Sequence, residues 1–213
     1  MARILITSGA TRQYLDPVRY LTNASSGRMG AALAAAAIEA GHSVVVVSGP
    51  VDVEYPAEAE VVSVVSTEDM LAAARTAFAD CDGLIGAAAP CDYRPERVES
   101  HKIAKTGEPL MLRLVETEDV VATLGAAKGQ RWIVGFALET DDHRLRALAK
   151  LERKCCDLMV SNSVEAISSL DNRVEILDPA GKVLADAAGS KEAVAREILA
   201  VIDERLIRRA AGR

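Results

Sequence analysis

The sequence predicts an α/β protein: a mostly parallel sheet with helices on both faces, followed by a C-terminal hairpin and helix. Two observations carry that expectation. Strand-like and helix-like segments alternate from residue 3 to residue 162, the pattern of parallel strands joined by crossover helices. The 213-residue chain is 50 % hydrophobic but only 3 % aromatic, so Ala, Val, Leu and Ile must build a core suited to strands covered on both faces. A chain of this length buries a large core without staples. No linker, repeat or low-complexity stretch divides it, so residues 1–213 read as a single domain.

RILIT (3–7) is a short apolar run ending at Ser-Gly, a buried first strand. The fifteen or so residues that follow make a long β-to-α connection, the kind that carries function. A helix is expected from about Ser26 to Ala40, stopped by Gly41. SVVVVS (43–48) and EVVSVVS (60–66) are strands two and three, and Thr67 is the expected cap of the helix that follows. GLIGAAA (83–89) is strand four, ending in unusually small residues. Residues 90–109 hold three prolines and no apolar periodicity, a second long loop. An alternating strand (110–116), a short helix (117–127), a buried strand (131–139), an amphipathic helix (141–155) and a strand (157–162) complete the alternation. Residues 172–186 read as a hairpin over Pro-Ala-Gly, and 190–206 as a Ser-capped helix.

Net charge is −6, a poor basis for binding nucleic acid, so any anion must be held by local cations and helix ends. Cys81, Cys91, Cys155 and Cys156 show no metal spacing and read as reduced thiols of a cytoplasmic protein. The chain enters its first strand at once, so no signal peptide is expected, and no run is long enough to span a membrane.

In open parallel sheets ligands bind beyond the carboxyl ends of the strands, where both long loops fall. Three segments stand out there. TSGATR (7–12) and NASSGRMG (23–30) place Gly9, Gly27 and Gly30, which permit close backbone approach, beside the hydroxyls of Ser25 and Ser26. Free amides opening a helix attract anions, and Arg12, Arg19 and Arg28 favour phosphate over a plain serine-capped helix packed through Gly30. GAAAPCDYRP (86–95) leaves room at Ala88 and Ala89 for a flat ring, with Asp92 available to a ribose hydroxyl or a metal-bound phosphate, or simply as a turn cap. SHKIAKTGEP (100–109) carries Lys102 and Lys105 on an arm that can close over a triphosphate. A short-chain nicotinamide reductase is the rival reading, but its glycine turn follows strand one directly, and no Tyr-x-x-x-Lys pair is present.

Taken in order, TSGATR, DPVRYLTNASSGRMG, VSGP, AAAPCDYRP, HKIAK, VGFALET, KCCDLMVSN and DNRVEI resemble phosphopantothenoylcysteine synthetase over nearly the whole chain. The resemblance is to the ligase half of the bifunctional coenzyme A biosynthesis protein, here expected to stand alone. It implies a Rossmann-like domain, usually a homodimer, that joins 4′-phosphopantothenate to cysteine through an acyl-nucleotide, using CTP (or ATP) with Mg²⁺. Carried over, Asn23 holds the intermediate and Lys102 is the catalytic flap lysine. Lys105 meets phosphate, as do Ser25, Ser26, Gly27 and the Gly9 turn. Asp92 serves nucleotide or metal, Ala88, Ala89 and Phe136 border the base, and Asn162 ends a strand. Pro90 and Ala104 depart from the family pattern, removing an amide donor and a flap charge, and Leu138 is bulkier than the family's alanine. A non-catalytic binding relative is therefore a further alternative.

Overall fold

The structure, a computed structural model, describes residues 1–139, 143–163 and 172–208. The strands are β1 (Arg3–Ser8), β2 (Arg12–Tyr14), β3 (Tyr20–Thr22), β4 (Ser43–Ser48), β5 (Glu60–Ser63), β6 (Gly83–Gly86), β7 (Tyr93–Pro95), β8 (Leu114–Glu116), β9 (Trp132–Glu139), β10 (Leu158–Ser163), β11 (Asn172–Leu177) and β12 (Val183–Gly189). The helices are α1 (Arg28–Glu39), α2 (Thr67–Phe78), α3 (Val120–Ala126), α4 (His143–Arg153) and α5 (Lys191–Ile202), the last running into a π-helical turn.

Six parallel strands stand in the order β5-β4-β1-β6-β9-β10, and β11 and β12 extend the sheet antiparallel beyond β10. The chain leaves β1 towards β4 and β5, then returns to build the other half from β6. The point between β1 and β6 is therefore the topological switch, where open α/β sheets form their crevice.

Side-chain alternation divides the core into two layers. Ile4, Ile6, Val44, Val46, Val134 and Val160 face α1 and α5, whereas Leu5, Val45, Val47, Leu84, Ile133 and Met159 face α2, α3 and α4. Helix α1 lies tight on β1: a Cβ built at Gly30 would stand 2.0 Å from Ser8 Oγ and 2.5 Å from Ser8 Cβ. A glycine inside a helix costs about 1 kcal/mol against alanine, and close approach to the strand explains why it is kept. Gly30→Ala should lower stability by about 1–3 kcal/mol through overpacking, read as a fall in the urea midpoint at unchanged slope.

Several sequence expectations shift. Helix α1 begins at Arg28, with Gly27 as its N-cap at φ 75° and no side-chain cap, so neither serine caps it. Ser66, not Thr67, caps α2 in a reciprocal pair with Asp69; Thr67 is buried and engaged elsewhere. Strand β6 ends at Gly86 and β5 at Ser63. The first long loop folds into the β2–β3 hairpin, and residues 114–116 pair with 93–95 as β7–β8. Thr140, Asp141, Asp142 and Asp171, parts of the quoted motifs and of the expected helix start, lie outside the described residues.

Candidate active site

Beyond their strands the first and fourth segments stay zipped together. The Ala87 N–H donates to Thr7 O and the Ala89 N–H to Gly9 O at 2.8 Å, and Ala10 bridges Ala89. A buried knot fixes this edge. Thr11 Oγ1 accepts the Cys91 N–H at 2.9 Å and pairs with Thr67 Oγ1; the hydroxyls of Thr67 and Thr117 both donate to Cys91 O. The Cys91 thiol in turn donates to Thr11 O. Thr11 lies within TSGATR and Thr117 opens the segment before α3, but neither residue is singled out from sequence.

Onto this edge comes Asn23, just past the end of β3. Its Nδ2 donates to Ala89 O at 3.2 Å and to Pro90 O at 2.9 Å. Pro90 has no N–H to offer, and its carbonyl serves here as an acceptor. The loop leading to α1 is thereby joined to the alanine edge, two of the three segments singled out above.

The entrance to α1 leaves backbone amides without a side-chain cap, a chemistry open to an anion. No side chain caps it, no acidic residue stands in its first turn, and Arg28 opens it. Ser25 and Ser26 precede it, Ser26 exposed and Ser25 half-buried with its N–H on Asn23 O. Ser8 Oγ donates to Gly27 O, and Tyr55 links Ser8 to Ser48. Gly9 and Gly27 both adopt left-handed backbone, and the room they leave is occupied by Val51 and Val53.

Ala88, Asp92 and Phe136 border one cavity of about 90 Å³, with Gly86 and Gly135 beside it. That is far below the 300–1,000 Å³ of a whole drug-sized ligand, so it suits a fragment. Phe136 packs with the α1/α5 layer and Ala88 with the opposite one. On the cavity wall Lys154 Nζ pairs with Asp119 at 3.0 Å. Burial pushes the Asp119 carboxyl up, but the Ala122 N–H and the Lys154 charge overcome this and hold it below its ordinary value. Asp92 is exposed at the rim. Among the described residues no cluster of three or more metal-ligating side chains occurs, so a divalent cation here would need ligands from its substrate. Mg²⁺ fits that arrangement, being commonly held by one or two carboxylates plus phosphate oxygens.

The lysine arm stands apart from Asn23. Lys102 lines a second cavity of about 460 Å³ with Leu15, Pro95, Glu99 and Met111, and Lys105 is exposed. Asn23 follows the base of the β2–β3 hairpin while the arm docks at its turn, about three residues of strand, or ~10 Å, away. Asn162 is the last residue but one of β10, rather than its end, and its buried Oδ1 has no hydrogen-bond partner among the described residues.

Three of the four thiols are buried. Burial pushes those of Cys81 and Cys91 up and that of Cys156 to about 12, whereas Cys155 is exposed. Since the thiolate is the reactive form, an aryl disulfide at neutral pH should label Cys155 alone in the folded chain and all four cysteines after unfolding, as located by peptide mass.

Residues 1–206 match the family described as DNA/pantothenate metabolism flavoprotein C-terminal domain. The chain is 40 % identical over 203 residues to the coenzyme A biosynthesis bifunctional protein CoaBC of Vibrio parahaemolyticus, covering 92 % of this chain and 51 % of that protein. To the protein of the same name from Bacillus subtilis it is 42 % identical over 164 residues, covering 76 % and 40 %. It thus spans about half the length of the curated relatives it matches. A crystal structure of the C-terminal domain of CoaBC is similar at a TM-score of 0.83 and 37 % identity, covering 97 % of this chain and 96 % of that one. No described helix is long and apolar enough to cross a membrane.

Proposed function

The chain belongs to the DNA/pantothenate metabolism flavoprotein C-terminal domain family, and from that premise we propose that residues 1–213 act as one ligase domain joining 4′-phosphopantothenate to cysteine. A carboxylate oxygen of phosphopantothenate attacks the α-phosphorus of CTP or ATP and expels pyrophosphate. The cysteine amine then attacks the acyl carbon, loses a proton to solvent and expels the nucleoside monophosphate. No protein nucleophile is needed, in keeping with the burial of Cys81, Cys91 and Cys156. The work left to the chain is to hold two anions together and to stabilise charge as it shifts.

The α1 entrance, with its uncapped amides, Ser25, Ser26 and Arg28, takes the phosphates. Gly9 and Gly27 shape the backbone around them. Ala88, Ala89 and Phe136 border the ring of the nucleotide, and Asp92 holds its ribose or Mg²⁺. When bound, Mg²⁺ would neutralise phosphate charge. At rest both N–H groups of Asn23 are engaged by loop carbonyls; rotation of its amide frees one to meet the acyl oxygen that becomes negative as cysteine attacks. Closure of the hairpin turn together with the arm brings Lys102 to that centre and Lys105 to the outer phosphates. Exposed Leu110, Met111, Leu112 and Leu114 form an apolar run suited to a second copy of the chain, supporting a homodimer.

The observation that carries this reading is the Asn23 bridge to Ala89 and Pro90, because it sets the anion-binding helix entrance against the ring-sized cavity. A panel of triphosphates supplied with phosphopantothenate and cysteine tests it. Pyrophosphate, nucleoside monophosphate and the amide product are expected in equal amounts with CTP or ATP. Absence of pyrophosphate with every triphosphate would overturn it.

A further inference from the structure

Asp16 has no place in the reaction just described, yet its side chain is fully buried near the exposed arm. Its Oδ1 accepts the N–H groups of Val18 and Arg19, each at 2.8 Å, closing the β2–β3 turn after Pro17. Its Oδ2 accepts the N–H of Ile103 at 3.0 Å, from 87 residues further along the chain. Arg19 stands 3.5 Å from the same oxygen and donates to Ile103 O at 2.8 Å, and the Glu99 N–H donates to Leu15 O at 2.9 Å. Residues 99–103, Lys102 among them, are thus clamped to the hairpin, whereas 104–114 are exposed.

A buried carboxylate without partners would be unfavourable. Here every hydrogen bond it accepts is assigned, and the partners come from two different segments. Burial pushes the Asp16 carboxyl up, but the three N–H groups and Arg19 outweigh it and hold the group below its ordinary value. The group therefore stays ionised at neutral pH, with both oxygens acceptors.

We infer that Asp16 is a positioning residue. One buried carboxylate fixes the hairpin turn and the root of the lysine arm together, and so sets where Lys102 stands relative to Asn23 at the hairpin base. Arg19 closes the clasp by holding the carboxylate and the Ile103 carbonyl at once. The hairpin turn and the arm root then move as one body that carries Lys102, while the arm beyond Ile103, with Lys105, bends separately. This rests on the ligase reading for the importance of Lys102, but the clasp itself can be tested without it.

Two variants separate the parts. Asp16→Asn keeps one oxygen for the turn but presents an amide donor to Ile103 N–H and Arg19, which are donors themselves. Ile103→Pro leaves Asp16 intact and deletes the N–H it accepts. Limited trypsin digestion of the folded chain reads the arm directly through cleavage after Lys105, a bond neither variant alters. Both variants should be cut on the order of tenfold faster, the scale of one hydrogen bond to a charged group, with near-ultraviolet circular dichroism unchanged. In the ligase assay both should lose kcat while the KM for nucleotide holds. Unchanged cleavage in both folded variants overturns the clasp, and faster cleavage at wild-type kcat overturns the positioning role. Failure of the wild-type chain to ligate would instead count against the proposed function and leave the digestion result standing. If Asp16→Asn does not fold, Ile103→Pro alone decides.

Discussion

Asn23→Asp should turn over at least about a hundredfold more slowly than the unaltered chain, the scale of losing a donor to a developing oxyanion, while keeping its fold. The substitution is nearly isosteric, so packing is not the issue. The amide uses Nδ2 to hold the carbonyls of Ala89 and Pro90, and a carboxylate in its place presents lone pairs to two acceptors. The tie between the α1 entrance and the alanine edge is lost. A negative charge also appears where the phosphates and the acyl oxygen gather, opposing both half-reactions. Asn23 is exposed, so thermal unfolding should shift little. Release of monophosphate and pyrophosphate measures the first effect and circular dichroism the second. Wild-type rates from this variant would remove Asn23 from the site.

Lys102→Gln is the second large effect, a fall in kcat on the order of a hundredfold or more if its ammonium stabilises charge in the transition state. Glutamine preserves much of the length and the hydrogen-bonding capacity, so the loss isolates the charge. The side chain is exposed beside the 460 Å³ cavity, and the variant should fold normally. The two variants differ in a useful way. Asn23→Asp alters a bridge present at rest and should weaken nucleotide binding, whereas Lys102→Gln should leave binding near normal and lower kcat. Equal loss of binding in both would mean that Lys102 is a resting phosphate contact rather than a group brought up by closure.

Much of the fold was legible because the parallel strands are continuous apolar runs. SVVVVS matches β4 residue for residue, and the helices between such strands have helical spacing. The short hairpins were not legible. Strands of three residues, such as Arg12–Tyr14 and Tyr93–Pro95, are too brief for a period-two signal and form by pairing across the loop. The cap of α2 was misassigned by one residue because Ser66 and Thr67 have the same local chemistry; only the burial of Thr67 against Cys91 and Thr11 separates them. The helix entrance was placed too early because the serines suggested a cap, where a left-handed glycine turns the chain.

The candidate site residues come from the resemblance rather than from spacing. Gly9, Asn23, Ala89 and Gly27 come together at the switch point, and Ala88, Asp92 and Phe136 share one cavity. Lys102 and Lys105 do not join them at rest, and no local signal predicts where an arm docks. Asp16 illustrates the limit. Its role depends on Ile103, 87 residues away, and Asp-Pro by itself reads only as a turn. The strand order is shared with dinucleotide-binding sheets, so topology does not separate ligase from reductase. The inserted hairpin argues against the reductase, since it stands where a glycine turn would grip a pyrophosphate directly after β1.

A crystal structure of the chain with CTP and Mg²⁺ would show where the nucleotide sits. Phosphates are expected against Ser26, Gly27 and the first amides of α1, the ring beside Ala88 and Ala89, and Lys102 drawn in together with the hairpin turn. A nucleotide seated elsewhere, with the α1 entrance vacant and Lys102 still remote from Asn23, would contradict that placement.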